Sequence, residues 1–112
     1  MTTVGLIGCG GIARDVVTAV QTEKTVHIVG ALARPGRAAA ARSRLAGIEI
    51  VETLDALIAR KPTLIAEVAG QSAVTEHGEA VLHAGIDLVV ISVGALADPA
   101  LLARLKAAAI AG

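Results

Sequence analysis

Apolar residues along this chain fall in short runs of strand length, separated by stretches in which they recur at helical spacing. Val4 to Ile7 reads as a first strand. Ile12 to about Gln21 reads as a helix, with Ile12, Val16, Val17 and Val20 on one face at i, i+4, i+5 and i+8. Val26 to Leu32 predicts a second strand. Pro35-Gly36 opens a second helix that runs through an alanine-rich stretch to about Leu45, and Gly47 closes it where helices favour a left-handed residue. Ile48 to Val51 is a short third strand. Thr53 caps a helix from Leu54 to Arg60, Pro62 breaks the chain, and Leu64 to Val68 predicts a fourth strand. Ser72 to His83 is helical and stopped by Gly85. Asp87 to Val93 predicts a fifth strand, and Asp98-Pro99 supplies an N-cap and a first-turn proline for a last helix, Ala100 to Ala109.

These are five strand–helix units in succession. Strands such as Leu88-Val89-Val90-Ile91 are near-continuously apolar, as a sheet buried on both faces requires, and crossovers of this length impose parallel pairing with right-handed connections. The predicted fold is α/β: a doubly wound, Rossmann-type parallel sheet of five strands in the order 3-2-1-4-5, with helices on both faces. In that order the winding reverses beside strand one, so a ligand is expected over the carboxyl ends of strands one, two, four and five.

Size and composition narrow the function classes. At 112 residues the chain fits one domain, residues 1–112, and is too short for two. Apolar residues make up 54%, charged residues 18%, and the formal net charge is zero, which argues against disorder and against binding to nucleic acid or an anionic membrane. Apolar runs stay far below the roughly 18 residues of a membrane span. Met1-Thr2-Thr3 lacks the start of a signal peptide, so a cytoplasmic protein is expected. Cys9 is the only cysteine, which excludes an internal disulfide and a cysteine-built zinc site. His27, His77 and His83 share no ligand spacing, so no metal is expected. His77 shares a helical face with Ala73, Val74, Ala80 and Val81 and reads as a packed or interface histidine, with a catalytic one as the alternative. The chain contains no Phe, Tyr or Trp. No ring can stack on a base, so any adenine must lie between aliphatic side chains, and a core of Val, Ile, Leu and Ala leans on a partner surface for stability.

The first strand runs into Gly8-Cys9-Gly10-Gly11-Ile12-Ala13. Gly8, Gly10 and Ala13 fit the G-x-G-x-x-G/A spacing of dinucleotide-binding turns, in which each small residue answers a separate steric demand. Gly8 permits the tight turn, Gly10 lets backbone approach phosphate, and Ala13 lets the helix pack closely on the strand. The first helical N–H groups, at Gly11 and Ile12, point outward and favour an anion together with the helix dipole. Cys9 lies at this helix start, where a thiol pKa can fall, although a small space-filling role suits it as well.

An Asp or Glu about 20 residues beyond the glycines would bind the ribose hydroxyls of NAD, whereas an Arg accommodates the phosphate of NADP. The segment here is Ala31-Leu32-Ala33-Arg34-Pro35-Gly36-Arg37, with no acid. Arg34 offers planar donors to a phosphate and Arg37 a second charge, which favours NADP or dual use over strict NAD; two solvated loop arginines are the alternative. After strand four, Ala69 and Gly70, and after strand five, Ser92, Val93 and Gly94, are small enough to let a nicotinamide ring and its ribose lie flat against backbone. Glu67 reads equally as a ribose or substrate contact and as a loop partner.

Three blocks go beyond the generic turn: Val4-Gly5-Leu6-Ile7-Gly8-Cys9-Gly10, Glu67-Val68-Ala69-Gly70 followed by Thr75-Glu76-His77-Gly78, and Ser92-Val93-Gly94-Ala95-Leu96-Ala97-Asp98. In these the chain resembles the N-terminal NAD(P)-binding domain of the L-aspartate dehydrogenases over nearly its whole length. Val68 stands where family members often carry Cys. The resemblance implies NAD(P)-dependent oxidative deamination of L-aspartate to iminoaspartate. It places the catalytic histidine and the substrate carboxylate pocket in a second domain, so no catalytic residue is expected among these residues. The expected partners are a dinucleotide, NADP or NAD, a separate or missing catalytic domain, and a second copy of the chain. Association is expected through Leu101, Leu102, Leu105 and Ile110 if later chain normally covers them. A stand-alone nucleotide-binding regulatory module, or the cofactor domain of another amino-acid dehydrogenase, is the alternative.

Overall fold

The computed structural model describes residues 1–112. In chain order its elements are β1 (Thr2–Ile7), α1 (Gly11–Val20), β2 (Val26–Leu32), α2 (Ala38–Arg44), β3 (Ile50–Val51), α3 (Leu54–Ile58), β4 (Leu64–Glu67), α4 (Gln71–His83), β5 (Asp87–Val90), a 3-10 turn (Val93–Ala97) and α5 (Pro99–Ala111). The strands form one sheet in the order β3-β2-β1-β4-β5. Every pairing is parallel, as the apolar strands and helical crossovers require. Capping follows the local sequence. Thr53 accepts a hydrogen bond from the Ala56 N–H at 3.2 Å, and Asp98 accepts from Ala100 and Leu101 ahead of Pro99.

One face of β1 and β2 buries Val4, Leu6, Ile28 and Ala31 against Ala13 and Val17 of α1 and Ala38, Ala41 and Leu45 of the α2 segment. The opposite face buries Ile7, Leu32 and Ile65 against Leu57 of α3 and Val81 of α4. A third cluster joins Val74 of α4 to Ala95, Leu101 and Leu105. With no aromatic side chain, Leu6, Leu45, Leu57, Ile65 and Leu101 are among the largest fully buried groups.

Glycines make the helix contacts possible. Val29 is an extra residue on β2, so Gly5 pairs with Gly30, and the two glycines form a flat patch beneath Leu57. A methyl group at Gly5 would lie 3.1 Å from Leu57 Cδ1, and one at Gly30 would lie 3.3 Å away. Gly78 does the same for helix on helix, since a methyl there would come within 2.9 Å of Leu105 Cδ2.

Several boundaries differ from expectation for local reasons. β1 begins at Thr2 because Thr3 and Thr63 exchange hydrogen bonds, with the Thr63 hydroxyl donating to Thr3 O at 2.9 Å. α2 starts at Ala38, since Gly36 takes a left-handed φ of +80° and Pro35-Gly36 form a turn ahead of the helix. β3 shortens to Ile50–Val51 and α3 to Leu54–Ile58. β5 stops at Val90, and residues expected to extend it turn into the 3-10 segment. β5 is also not buried on both faces, because no helix covers the part of the sheet beyond α1. Register places Val89 beside Ala66 and Ala66 beside Leu6, and on this face Val89 and Ile91 remain 43% and 49% exposed. The apolar surface expected on α5 lies elsewhere: Leu101 and Leu105 are buried against α4, Leu102 is half-buried, and Ile110 alone of the four is exposed.

Candidate functional site

The carboxyl ends of β1 and β2 open into a cleft of about 600 Å³, walled by the Gly8–Gly10 turn, the β2 end, α2, the start of α3 and one side of α4. Gly8 has φ +115°, a conformation that only glycine adopts without strain. A Cβ there would also lie 2.9 Å from the Ala69 Cβ, so the turns after β1 and β4 touch. Gly10 is the extended N-cap of α1, and added Cβ atoms at Gly10 and Gly11 would meet nothing within 4 Å. The helix start has no side-chain cap and no acid in its first turn, which leaves its N–H groups and positive dipole end facing open space. Ala13 is wholly buried and serves the packing of α1 on the sheet. Gly11 and Ile12 are exposed.

Three arginines stand along one wall: Arg34 at the end of β2, Arg37 before α2 and Arg44 in its last turn. None is in an ion pair. Arg44 donates from Nη1 to the Cys9 carbonyl at 3.3 Å, tying α2 to the glycine turn. Arg44 escaped the sequence reading, although it lies seven residues after Arg37 and thus on the same helical face. The opposite wall carries Thr53, Leu54, Ser72, Glu76 and His77, also unforeseen there. His77 is half-buried against this cleft, with Nε2 3.7 Å from Glu76 Oε1. Burial pushes the Cys9 thiol up, only partly offset by the nearby Arg44 charge, which favours the small space-filling role over an activated thiol.

Glu67, the last residue of β4, is fully buried behind the cleft residues Val68 and Ala69 and does not line the cleft, and neither do Gly70, Ser92, Val93 and Gly94. Its Oε2 accepts from the N–H groups of Ala69 and Gly70 at 2.8 and 2.7 Å and from the Ser92 hydroxyl at 2.9 Å, while Oε1 accepts from the Ser92 N–H at 2.8 Å. Of the two roles open to it, this is the loop partner. It also means that the donors of Ala69, Gly70 and Ser92 are already engaged, and what these residues present to a ligand is surface. Val93 is 65% exposed, and Gly94 lies under the Gln71 side-chain amide, which a Cβ would strike.

Burial alone would raise the Glu67 pKa, but the hydrogen bonds from Gly70, Ser92 and Ala69 outweigh it and hold the carboxyl below its ordinary value. A folded pKa below the unfolded one contributes stability that is complete above the unfolded value, about 4.3, and is lost as pH falls through the folded value. Urea midpoints of the wild type and Glu67→Gln are therefore expected to converge on acidification from about pH 7 to about pH 3. A gap that stays constant with pH would mean that the charge is not what stabilises these loops.

No group of three or more His, Cys, Asp or Glu side chains gathers anywhere in the chain. No helix is long and apolar enough to cross a membrane.

A switch-point glycine turn, an uncapped helix start above it and unpaired arginines at the β2 end fit a dinucleotide and define a dinucleotide-binding domain of the doubly wound class. Residues 8–112 match the family model described as homoserine dehydrogenase, NAD binding domain, and the chain belongs to that family. It is 44% identical over 112 residues to L-aspartate dehydrogenase 1 of Bordetella pertussis, covering 97% of this chain and 41% of that protein. The chain thus corresponds to the NAD-binding domain of L-aspartate dehydrogenases and spans about two-fifths of their length. Aspartate dehydrogenase from Thermotoga maritima shares the fold, with a TM-score of 0.69 at 19% identity over 98% of this chain and 42% of that one. A 3-ketoreductase from Actinomadura kijaniata, solved with NADP and TDP-benzene, superposes with a TM-score of 0.77 at 26% identity, covering 97% of this chain and 34% of that one.

Proposed function

We propose that this chain is the cofactor half of an NADP-preferring L-aspartate dehydrogenase and needs a second domain or polypeptide for catalysis. The observation that carries the cofactor preference is the β2 end, where Arg34, Arg37 and Arg44 line the cleft without ion-pair partners and the segment Ala33 to Arg37 carries no acid, although Glu52 after β3 also lines the cleft. Gly8, Gly10, Gly11 and Ile12 would hold the pyrophosphate, with Ala13 setting the helix behind them. Ala69, Gly70, Ser92, Val93 and Gly94 would border the nicotinamide ribose. When bound, the nicotinamide supplies a hydride acceptor, and the chain supplies orientation and charge. At the β4 and β5 ends Glu67 and the Ser92 hydroxyl satisfy each other, so neither is free to act as an acid or base. This supports a catalytic group contributed from elsewhere, in an aqueous compartment that holds the cofactor, such as the cytoplasm.

Calorimetric titration with NADP and NAD tests this reading. Arg34→Ala is expected to weaken NADP binding about 10- to 100-fold, from loss of charge-assisted hydrogen bonds, and to leave NAD within about twofold. Equal NADP affinity in the two proteins would remove Arg34 from the site. Turnover of aspartate by the purified chain alone would overturn the need for a second part.

Self-association through the open face of β4 and β5 completes the proposal, since Val89 and Ile91 form its exposed apolar strip. Sedimentation is expected to show dimers or larger species that Val89→Thr/Ile91→Thr converts to monomers. A wild-type monomer at high concentration would contradict it.

A further inference from the structure

Residues 67 and 92 belong to successive strand–helix units, yet one buried carboxylate joins them. Glu67 is the last residue of β4, and with four hydrogen bonds it holds both the chain entering α4 and the chain leaving β5. All four partners are donors, three N–H groups and one hydroxyl. Only a side chain with two acceptor oxygens, at this reach, satisfies them. The same carboxylate determines where β5 ends, because the Ser92 N–H and hydroxyl turn toward it and the 3-10 segment follows at once. It also fixes the turn at Gly70, whose φ of +149° places the start of α4.

We infer that Glu67 is a positioning residue for the nicotinamide half of the cofactor, holding the β4 and β5 loops at the separation that half requires. This rests on the dinucleotide reading of the cleft. With the pyrophosphate at the β1 turn and the adenosine over β2, the strand order leaves β4 and β5 as the floor for the other half. The Ala69 side of this floor touches Gly8, so a shift of the β4 loop reaches the phosphate turn through direct contact, whereas the arginine wall runs from the β2 end to the last turn of α2. Gln71 also packs over Gly94 and Val74 against Ala95, but the Glu67 carboxylate makes the only side-chain hydrogen bonds between the two loops. Glu67 thus acts on the cofactor through loop placement and makes no contact with it.

The test separates the two halves of the ligand. The 112-residue chain, as wild type and as Glu67→Gln, is titrated with NADPH, following the fluorescence of the reduced ring, and with 2′-phospho-ADP-ribose, which lacks the ring. An amide at position 67 must set a donor against a donor, so Glu67→Gln is expected to weaken NADPH about tenfold and to lose the change in ring fluorescence. Affinity for 2′-phospho-ADP-ribose should fall less, by at most about threefold, the part carried to the phosphate turn through the Ala69–Gly8 contact. Equal losses for both ligands, or none for either, would overturn the inference. Should Glu67→Gln fail to fold, Ser92→Ala removes a single bond and is expected to give a smaller loss, about threefold, for NADPH alone; an unchanged or unselective result would likewise overturn it. If the wild type binds neither ligand, the dinucleotide reading itself is wrong, which is a different failure from an unselective variant.

Discussion

Gly8→Ala is expected to abolish measurable dinucleotide binding while leaving a destabilised but folded domain. Holding an L side chain at φ +115° costs about 1–3 kcal/mol. The added methyl would sit 2.9 Å from the Ala69 Cβ and 3.0 Å from its backbone, and overpacking of this kind costs typically 1–3 kcal/mol more. The chain relieves both by moving the turn away from β4, which displaces the α1 start from the position where its N–H groups meet a phosphate. Urea denaturation gives the stability loss, about 2–6 kcal/mol in sum, and calorimetry gives the affinity. Gly10→Ala is the control for crowding. Its Cβ meets open space and its φ of −85° is ordinary, so the protein should keep its stability and lose affinity only because a methyl occupies the ligand's approach. Wild-type affinity in Gly8→Ala would take the turn out of the cofactor site.

Leu57→Ala is expected to be the most destabilising single truncation among the helix-to-sheet contacts. Leu57 is fully buried and rests on the flat patch made by the paired glycines of β1 and β2. No side chain on those glycines can close the space it leaves, so the cavity should persist, and the loss falls at about 2–5 kcal/mol. α3 has only five helical residues and no stability of its own, so its attachment rests on fully buried Leu57, on the partly buried Leu54, Ala56 and Ile58 beside it and on the Thr53 cap. Thermal melts should show a fall of about 10–20 °C, against a much smaller one for half-buried Ile58→Ala. A fall of only a few degrees would mean that the patch collapses onto neighbouring side chains.

The glycine turn, the five units and their order were legible because each depends on local sequence. Gly8, Gly36, Gly47 and Gly85 all take left-handed φ values of +115°, +80°, +83° and +77°, so residues marked as turns and helix stops prove to be conformational requirements. Strand boundaries were less legible where a side chain far along the chain decides them. β5 ends at Val90 because Glu67, 25 residues earlier in sequence than Ser92, takes the Ser92 donors out of the ladder. Periodicity carries no signal of such a bond.

The chain's own order of residues thus determined the fold class, the strand order and the phosphate turn, since apolar period, glycine placement and capping are short-range properties read in sequence. Tertiary structure decided what the remaining polar and apolar groups do. It made Glu67 a buried brace instead of a ligand contact, brought Arg44 beside Arg34 and Arg37, set Gly5 and Gly30 beneath Leu57, and moved the open apolar surface from α5 to Val89 and Ile91. Each of these depends on which residues meet across different strand–helix units. That is fixed only when the sheet closes and the helices settle on it.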